Sequence, residues 1–538
     1  MTSTERGSQV VPPVPAQPGN QPAPATPAYR VPTVPEAAWS MAGCRRRTWV
    51  SRATLLSVLV FQAALSLRLE NTAFQDEAVH LGSGHVQIAH LLNGTPVPTD
   101  YASHFSGSPL LGPVVAALVD ARFGLAGARL LSLFFMLGAN TLLYAMTRRL
   151  FSERPALAAA ALFAVIPSTI VLGHFATFDS AAVLLLALAA WIIVRTDRAP
   201  LVAVLLAAPA AVLAVGTKYA AGLYLPTLVV LAALVAWPHR GRRSIVRAVL
   251  LALGLAVPIL AGLHFSDVLD GVRATTTTAR EHGADGAWEL LWKTAVWSGL
   301  MFLTACGGAI AYARRGRMNE SPPVARLGVP GGVWRALLGL LLCGTALLVP
   351  GYQIHLATSV ELYKHLGFGL LFAAPMAGVG LTRLVGEHFR FPQLACVLWV
   401  ATLCVGVTKS AEWFTSWPEA SRLNVALRQY VTPGAGRYLA ETPDVPAYYL
   451  RDITDRTRWT SLRSIGYQDT HGTVHHGEDG YRKALADGWF DVVVLDGVAT
   501  PRMESVVAAA VRSSGKYRPL GAVPFGEDQG RYRIWVKR

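Results

Sequence analysis

Residues 148–194 read RRLFSERPALAAAALFAVIPSTIVLGHFATFDSAAVLLLALAAWIIV. Two apolar runs, 155–173 and 179–195, flank a short polar turn that contains His174 and Asp179. Each run has about the length a helix needs to cross a bilayer core. Arg148, Arg149 and Arg154 gather at one end of this unit, while His174 and Asp179 fall at the other. Cations in short loops mark the cytoplasmic side of a spanning segment.

The pattern continues in both directions. Further apolar blocks lie near 50–67, 127–147, 199–217, 220–237, 245–264, 290–313, 333–350, 362–382 and 392–409. The sum is about eleven spans. Arg45, Arg46, Arg47 and Arg52 precede the first and place the N-terminus inside. The loops assigned inside carry Arg195, Arg198, Arg240, Arg242, Arg243 and Arg247, then Arg314, Arg315, Arg317, Arg326, Arg383 and Arg390. Inner cations exceed outer ones about two to one. The stretch 109–124 is short and interrupted by Pro109, Gly112 and Pro113. It reads as interfacial, which leaves residues 70–127 as one large outer loop.

Composition agrees. Of 538 residues 52% are hydrophobic and 15% charged, against about 25% charged in a soluble domain. A soluble chain of this length has too little interior to hide that excess. The net charge of +15 resides in the loops between apolar blocks, so it speaks for membrane topology and not for nucleic acid. The five cysteines form no CxxC and suit small apolar fillers.

The two ends differ from the middle. Residues 1–45 are rich in Pro, Ala and Thr without apolar period, as expected of a disordered cytoplasmic tail. Residues 411–538 carry charges, turns and short strands, an α/β domain that the span count places outside. Strands are expected at 447–450, 490–495 and 532–536, and helices at 481–487 and 503–513. Asp496-Gly497 ends a buried strand without any Gly-rich phosphate loop.

Ionisable residues at the outer span boundaries are the candidates for chemistry. Asp76 and Glu77 stand side by side a few residues beyond the first span, a costly place for carboxylates without partners. Asp179 opens a later span beside His174; it also suits a helix N-cap. Lys218 falls between two spans. Arg273 and Arg280 lie in the outer loop 265–289, and Tyr363, Lys364 and His365 open a late span. Such cations either snorkel or receive an anionic phosphate.

Three passages carry a resemblance. QDEAVHLGSGHVQIAHLLNG (75–94), the quoted stretch 148–194 and, more weakly, YKHLGFGLLFAAPMAGVGL (363–381) resemble the polytopic GT-C glycosyltransferases. The likeness is to the bacterial branch of the dolichyl-phosphate-mannose–protein mannosyltransferase and aminoarabinose transferase superfamily. It implies a multi-pass GT-C fold and a polyprenyl-phosphate-linked sugar as donor. It also implies an acceptor-activating carboxylate at Asp76 with Glu77 beside it, and a second acid at Asp179. The family often has Lys-Pro-Pro-Leu after the first-loop helix. This chain has Gly107-Ser108-Pro109-Leu110, so either another cation replaces it, with Lys218, Arg273, Arg280 and Lys364 as candidates, or the donor is held differently.

The expected function is transfer of a hexose or pentose to an envelope acceptor hydroxyl at the outer face of the plasma membrane. A single inverting displacement is expected. No cofactor is required, though Asp76, Glu77 and Asp179 together could hold a divalent ion. The rival is a transporter or flippase of a lipid-linked precursor, which would place its ionisable residues near the bilayer midplane.

Overall fold

The computed structural model describes residues 45–102, 105–265, 268–273, 275, 282–315, 331–386, 391–525 and 530–538. The tail 1–44, Arg280, Arg317, Arg326 and Arg390 lie outside the described residues.

Every expected span is helical. The helices are α1 (Arg45–Leu67), α2 (Gln75–Asn93), α3 (Gly112–Leu150), α4 (Glu153–Val165), α5 (Pro167–Leu172) and α6 (Asp179–Arg195). They continue with α7 (Ala208–Thr217), α8 (Leu225–Arg240), α9 (Arg243–Phe265), α10 (Ala287–Arg315), α11 (Gly331–Thr345), α12 (Leu348–Leu356), α13 (Leu362–Val385) and α14 (Pro392–Phe414). Among the described residues eight helices are long and apolar enough to cross a membrane. The other three expected spans are shorter. The run 155–173 is split where extended Ile166 precedes Pro167. The run 199–217 begins as a 3-10 turn, Leu201–Ala207, and 179–195 holds 17 residues.

The stretch 109–124 is helical and merges with the next span into the 39 residues of α3. At about 1.5 Å per residue such a helix exceeds the ~30 Å hydrocarbon core nearly twofold. Its break falls at Gly124, where φ is +66°, a conformation that glycine adopts without strain. The part before Gly124 belongs with the loop. Its Asp120 accepts hydrogen bonds from Tyr448 (2.6 Å) and Arg451 (3.1 Å) of the C-terminal region, with His85 Nε2 of α2 at 2.6 Å.

Basic loops cluster at the opposite end. Arg149 pairs with Asp197 at 2.5 Å, Arg240 donates to Asp197 O, and buried Arg247 donates to the carbonyls of Ile193 and Ala232. At the bundle centre runs α13, nearly enclosed. It packs on α10 through two glycines: a Cβ on Gly380 would lie 2.2 Å from Thr304 O, and one on Gly308 2.0 Å from Met376 O. Without a hydrophobic drive between helices in lipid, such close backbone approach supplies the packing.

After α14 come α15 (Ser421–Leu427), β1 (Tyr438–Ala440), α16 (Asp444–Tyr449), β2 (Trp459–Thr460), β3 (Gly466–Gln468) and β4 (Val474–His476). Then follow α17 (Gly477–Ala486), β5 (Val492–Leu495), α18 (Pro501–Ser514), β6 (Tyr517–Phe525) and β7 (Gly530–Lys537). Residues 447–450, expected as a strand, instead end helix α16 and its cap. Pro446 sits in its first turn, where a proline is tolerated, and the rings of Tyr448 and Tyr449 meet at 4.9 Å, where successive strand residues would point to opposite faces. The main sheet has the order β2-β1-β5-β7-β6, with β2, β1 and β5 parallel and β7 and β6 antiparallel. Alternate residues of β5 serve two cores, as the twofold strand period requires. Val493 and Leu495 pack on α17 and α18; Val492 and Val494 pack in a cluster that also holds Ala73, Leu81 and Ala176 of the outer turns. The α/β domain is thus seated on the same end of the bundle as the candidate acids.

Candidate functional site

Glu77 is the third residue of α2 and accepts the N–H of Phe74 at its start (2.9 Å), the carboxylate half of a capping box. Its other bonds cross the loop. Arg129 donates twice, at 2.9 and 2.7 Å, and the N–H of Ala176 donates at 2.8 Å. Burial opposes ionisation of Glu77, but Arg129 and the two backbone donors outweigh it and hold the carboxyl below its usual range. Arg129 also donates to the carbonyls of Asn71 and Thr72. Glu77 therefore clasps the turns after α1 and before α6. Its oxygens are consumed by that clasp, so the set Asp76, Glu77 and Asp179 does not form a common cation site.

Asp76, one residue earlier, points elsewhere. Its Oδ2 lies 2.5 Å from Lys364 Nζ on α13. The Asp76 side chain is 38% exposed and that of Lys364 5%, so the acid forms the wet edge and the amine the wall behind it. Behind Lys364 is a buried group. Lys218 Nζ is 3.3 Å from Asp179 Oδ1 and 3.2 Å from Glu361 Oε2. His365 Nε2 is 3.1 Å from Glu361 Oε2 and 3.6 Å from Asp179 Oδ1. Thr177 donates to Asp179 Oδ2 at 2.9 Å. Each element delivers its residue from an end: Asp179 opens α6, Lys218 caps α7, Glu361 caps α13.

His80 stands one turn after Asp76 on α2 and feels the charges of Asp76, Lys364, Lys218 and Asp179 together. Its ring is wedged against Phe178 and Phe105, and its Nδ1 has no partner. Burial pushes it down to about 4, so the imidazole is neutral at pH 7. Glu361 is held well below the usual carboxylate range: burial opposes this, and Lys218 and then Lys364 overcome it.

Sequence reasoning missed Glu361 and His80. Glu361 is legible only as an acid four residues before His365, the spacing of one helical face; His80 bears the same relation to Asp76. Three expected residues are placed outside the cluster. Burial presses His174 down to about 4. Its Nδ1 donates to Ser66 O at 2.9 Å and its ring meets Phe414. Tyr363 packs its ring on Trp297. Arg273 sits on the five-residue turn Val268–Val272 and just beyond, 3.8 Å from Asp270.

The segment at the missing first-loop lysine docks beside Lys218. The N–H of Ser108 donates to Gly216 O (2.8 Å) and that of Tyr219 to Ser106 O (2.7 Å). A Cβ on Gly107 would lie 2.0 Å from Thr217 O. A side chain has no room there; Lys218 comes from the opposing strand of chain and stacks over Phe178 at 5.1 Å.

Asp179, Glu361 and His365 each bring one ligand atom within 4.8 Å of the others. Lys218 already places its ammonium between the two carboxylates, so a metal would have to evict it. The donor set fits a divalent ion only with that rearrangement.

Comparison with known proteins agrees with this architecture. Residues 109–262 match the family model described as dolichyl-phosphate-mannose-protein mannosyltransferase. Among solved structures, ArnT from Cupriavidus metallidurans bound to undecaprenyl phosphate is 16% identical with a TM-score of 0.52, covering 91% of this chain and 98% of its own. The oligosaccharyltransferase AglB from Archaeoglobus fulgidus, in complex with an inhibitory peptide and a dolichol-phosphate, is 12% identical with a TM-score of 0.52, covering 89% of this chain and 75% of its own. No curated protein matches by sequence. The chain is a multi-pass membrane protein with the GT-C fold.

Proposed function

We propose that this protein is a glycosyltransferase that moves a hexose or pentose from a polyprenyl-phosphate donor to an acceptor hydroxyl. The observation that carries the reading is the half-exposed Asp76 held against Lys364, with the buried Asp179–Lys218–Glu361–His365 group behind it. A carboxylate at a wet edge takes a proton. Ammonium groups just inside stabilise a departing phosphate. Solved proteins of this fold carry dolichol-phosphate or undecaprenyl phosphate, which supports a lipid phosphate as the leaving group.

In the proposed step the acceptor oxygen attacks the anomeric carbon. Its proton passes to Asp76, the bond from that carbon to the phosphate oxygen breaks, and polyprenyl phosphate leaves with both bonding electrons. Lys364 and Lys218 face the charge that develops on it. A single displacement inverts the anomeric centre. Asp179 and Glu361 hold Lys218 and His365 in place, and His80 remains a neutral filler beside the reacting edge. The basic loops at the opposite end support a cytoplasmic assignment for that end, and with it a site and α/β domain at the outer face of the plasma membrane and an N-terminus inside. A transporter would hold its charges at mid-span; here they sit at helix ends. The acceptor is an envelope hydroxyl, and the bilayer is the protein's solvent.

The test is incubation of the purified protein with a panel of polyprenyl-phosphate hexoses and pentoses, with Asp76→Asn in parallel. Consumption of one donor by the native chain and not by the variant supports the reading. Folded protein that consumes none of them overturns it.

A further inference from the structure

A cavity lies next to the site, between the α/β domain and the start of α2. Its volume is about 160 Å³, comparable to cavities of about 150 Å³ that take up one six-membered ring. It opens at the carboxyl ends of the parallel strands β1 and β5, where α/β sheets bind ligands. Gln75, immediately before Asp76, forms part of its wall. Phe74, Trp417 and Tyr532 supply the apolar side of its lining, the first two with their rings packed 4.9 Å apart. Glu441 and Asp496 supply the polar side.

The chemistry of that polar side selects among ligands. Glu441 is buried and fully engaged: it accepts the N–H groups of Asp496 (3.1 Å), Gly497 (2.7 Å) and Thr500, and the Thr500 hydroxyl at 3.1 Å. Asp496 hydrogen-bonds to Glu441, and burial together with that neighbouring charge pushes Asp496 up to about 7. Asp496 is therefore the member of the pair that takes up a proton more readily than an ordinary carboxylate. An amine would want a free carboxylate, and Glu441 has none to give. A polyol suits this lining, since its hydroxyls can donate to carboxyl oxygens and its ring carbons can lie on the apolar wall. The apolar ring carbons of a sugar suit the aromatic side of the lining.

We propose that this cavity is a subsite for a carbohydrate unit of the acceptor, which fixes the acceptor class as a glycan or glycoconjugate. The inference rests on the transferase reading in that its ligand would present a hydroxyl toward Asp76. The subsite holds one ring through Asp496, Trp417 and Tyr532, and the next unit along the chain reaches past Gln75 to the wet edge.

The test uses the full chain in detergent and saturation-transfer NMR with methyl glycosides of common hexoses and pentoses as probes. Transfer to at least one probe is expected in the native protein and equally in Asp76→Asn. Binding should weaken about tenfold in Asp496→Leu, the loss expected of one hydrogen bond to a buried polar group. Val498→Arg, an exposed position at the mouth, should weaken it also, which covers the case in which Asp496→Leu does not fold. No transfer to any probe in the native chain, or equal transfer in a folded Asp496→Leu and in Val498→Arg, overturns the subsite. Glycoside binding in a protein that consumes no lipid-linked sugar would leave the subsite standing and remove the transferase reading.

Discussion

Lys364 Nζ lies 2.5 Å from Asp76 Oδ2 and joins residues 288 apart in sequence. It ties the first outer helix to the central span and fixes where the one accessible carboxylate of the cluster points. Asp76→Asn keeps the shape and a hydrogen bond but removes the base. The expected loss is about 10²- to 10⁴-fold in turnover, with donor KM changed little. Turnover within threefold of the native value would remove Asp76 from the chemistry.

Glu77 is the neighbour with a different fate. Its pair with Arg129 is buried, and removing one partner of such a pair costs about 3–5 kcal/mol. Glu77→Gln and Arg129→Met should therefore lower the melting temperature or the yield of folded protein, while the folded fraction keeps most of its turnover. Active-site titration with a tight lipid-phosphate ligand separates the two. A Glu77→Gln protein that melts normally and turns over a hundred times more slowly contradicts the clasp.

The contrast between these adjacent acids shows what was legible. Apolar run length and basic loops are local properties, so the spans, the α/β domain and the single face of ionisable residues could be read from them. The sense in which Asp76 and Glu77 point could not. It depends on Arg129 and Ala176, which come from other turns, and on a helix starting at Gln75. Glu361 escaped notice for the same reason. A lone acid before a span is ordinary; it becomes part of a site only because Lys218 arrives from 143 residues away. Residues 447–450 read as a strand and fold as the end of a helix because four apolar or aromatic residues suit a buried strand as well as a short helix.

Lys218 neutralises two carboxylates at once, and its removal leaves Asp179 and Glu361 facing each other. Lys218→Met should destabilise by about 3–5 kcal/mol. Adding Glu361→Gln removes one of the two stranded charges, so the double variant should melt higher than Lys218→Met alone. This sign is specific to a shared cation. A double variant that melts lower than the single one means that the two acids do not share Lys218.

Acid should weaken the fold through two buried histidines. His80 and His174 are each held near 4 by burial, against about 6.5 in the unfolded chain. Below the unfolded value the unfolded chain binds protons that the folded protein refuses. Stability is thus complete above pH 6.5 and falls as pH drops toward 4, by up to about 3 kcal/mol per histidine. His174→Gln, whose position is remote from the acid cluster, should lose less melting temperature between pH 7 and pH 5 than the native chain. Equal losses in both would mean that His174 does not resist protonation.

The cation that holds Asp179 and Glu361 apart is supplied by the chain itself, and this bears on metal dependence. With Lys218 Nζ within 3.3 Å of both carboxylates, a divalent ion at Asp179, Glu361 and His365 would meet an ammonium in its own place. Two cations at that separation repel by several kcal/mol in a partly buried site, so the lysine and a metal exclude one another. Activity should therefore survive a chelator with less than about twofold change, because one binding free energy has already been satisfied by the lysine. Lys218→Met should behave differently. With the ammonium gone, the two carboxylates and His365 form an open donor set, and added manganese or magnesium should raise the melting temperature of that variant but not of the native protein. A native enzyme that stops on chelation and restarts with a divalent ion would show that Lys218 yields its position, and the assignment of the positive charge to the chain would be wrong.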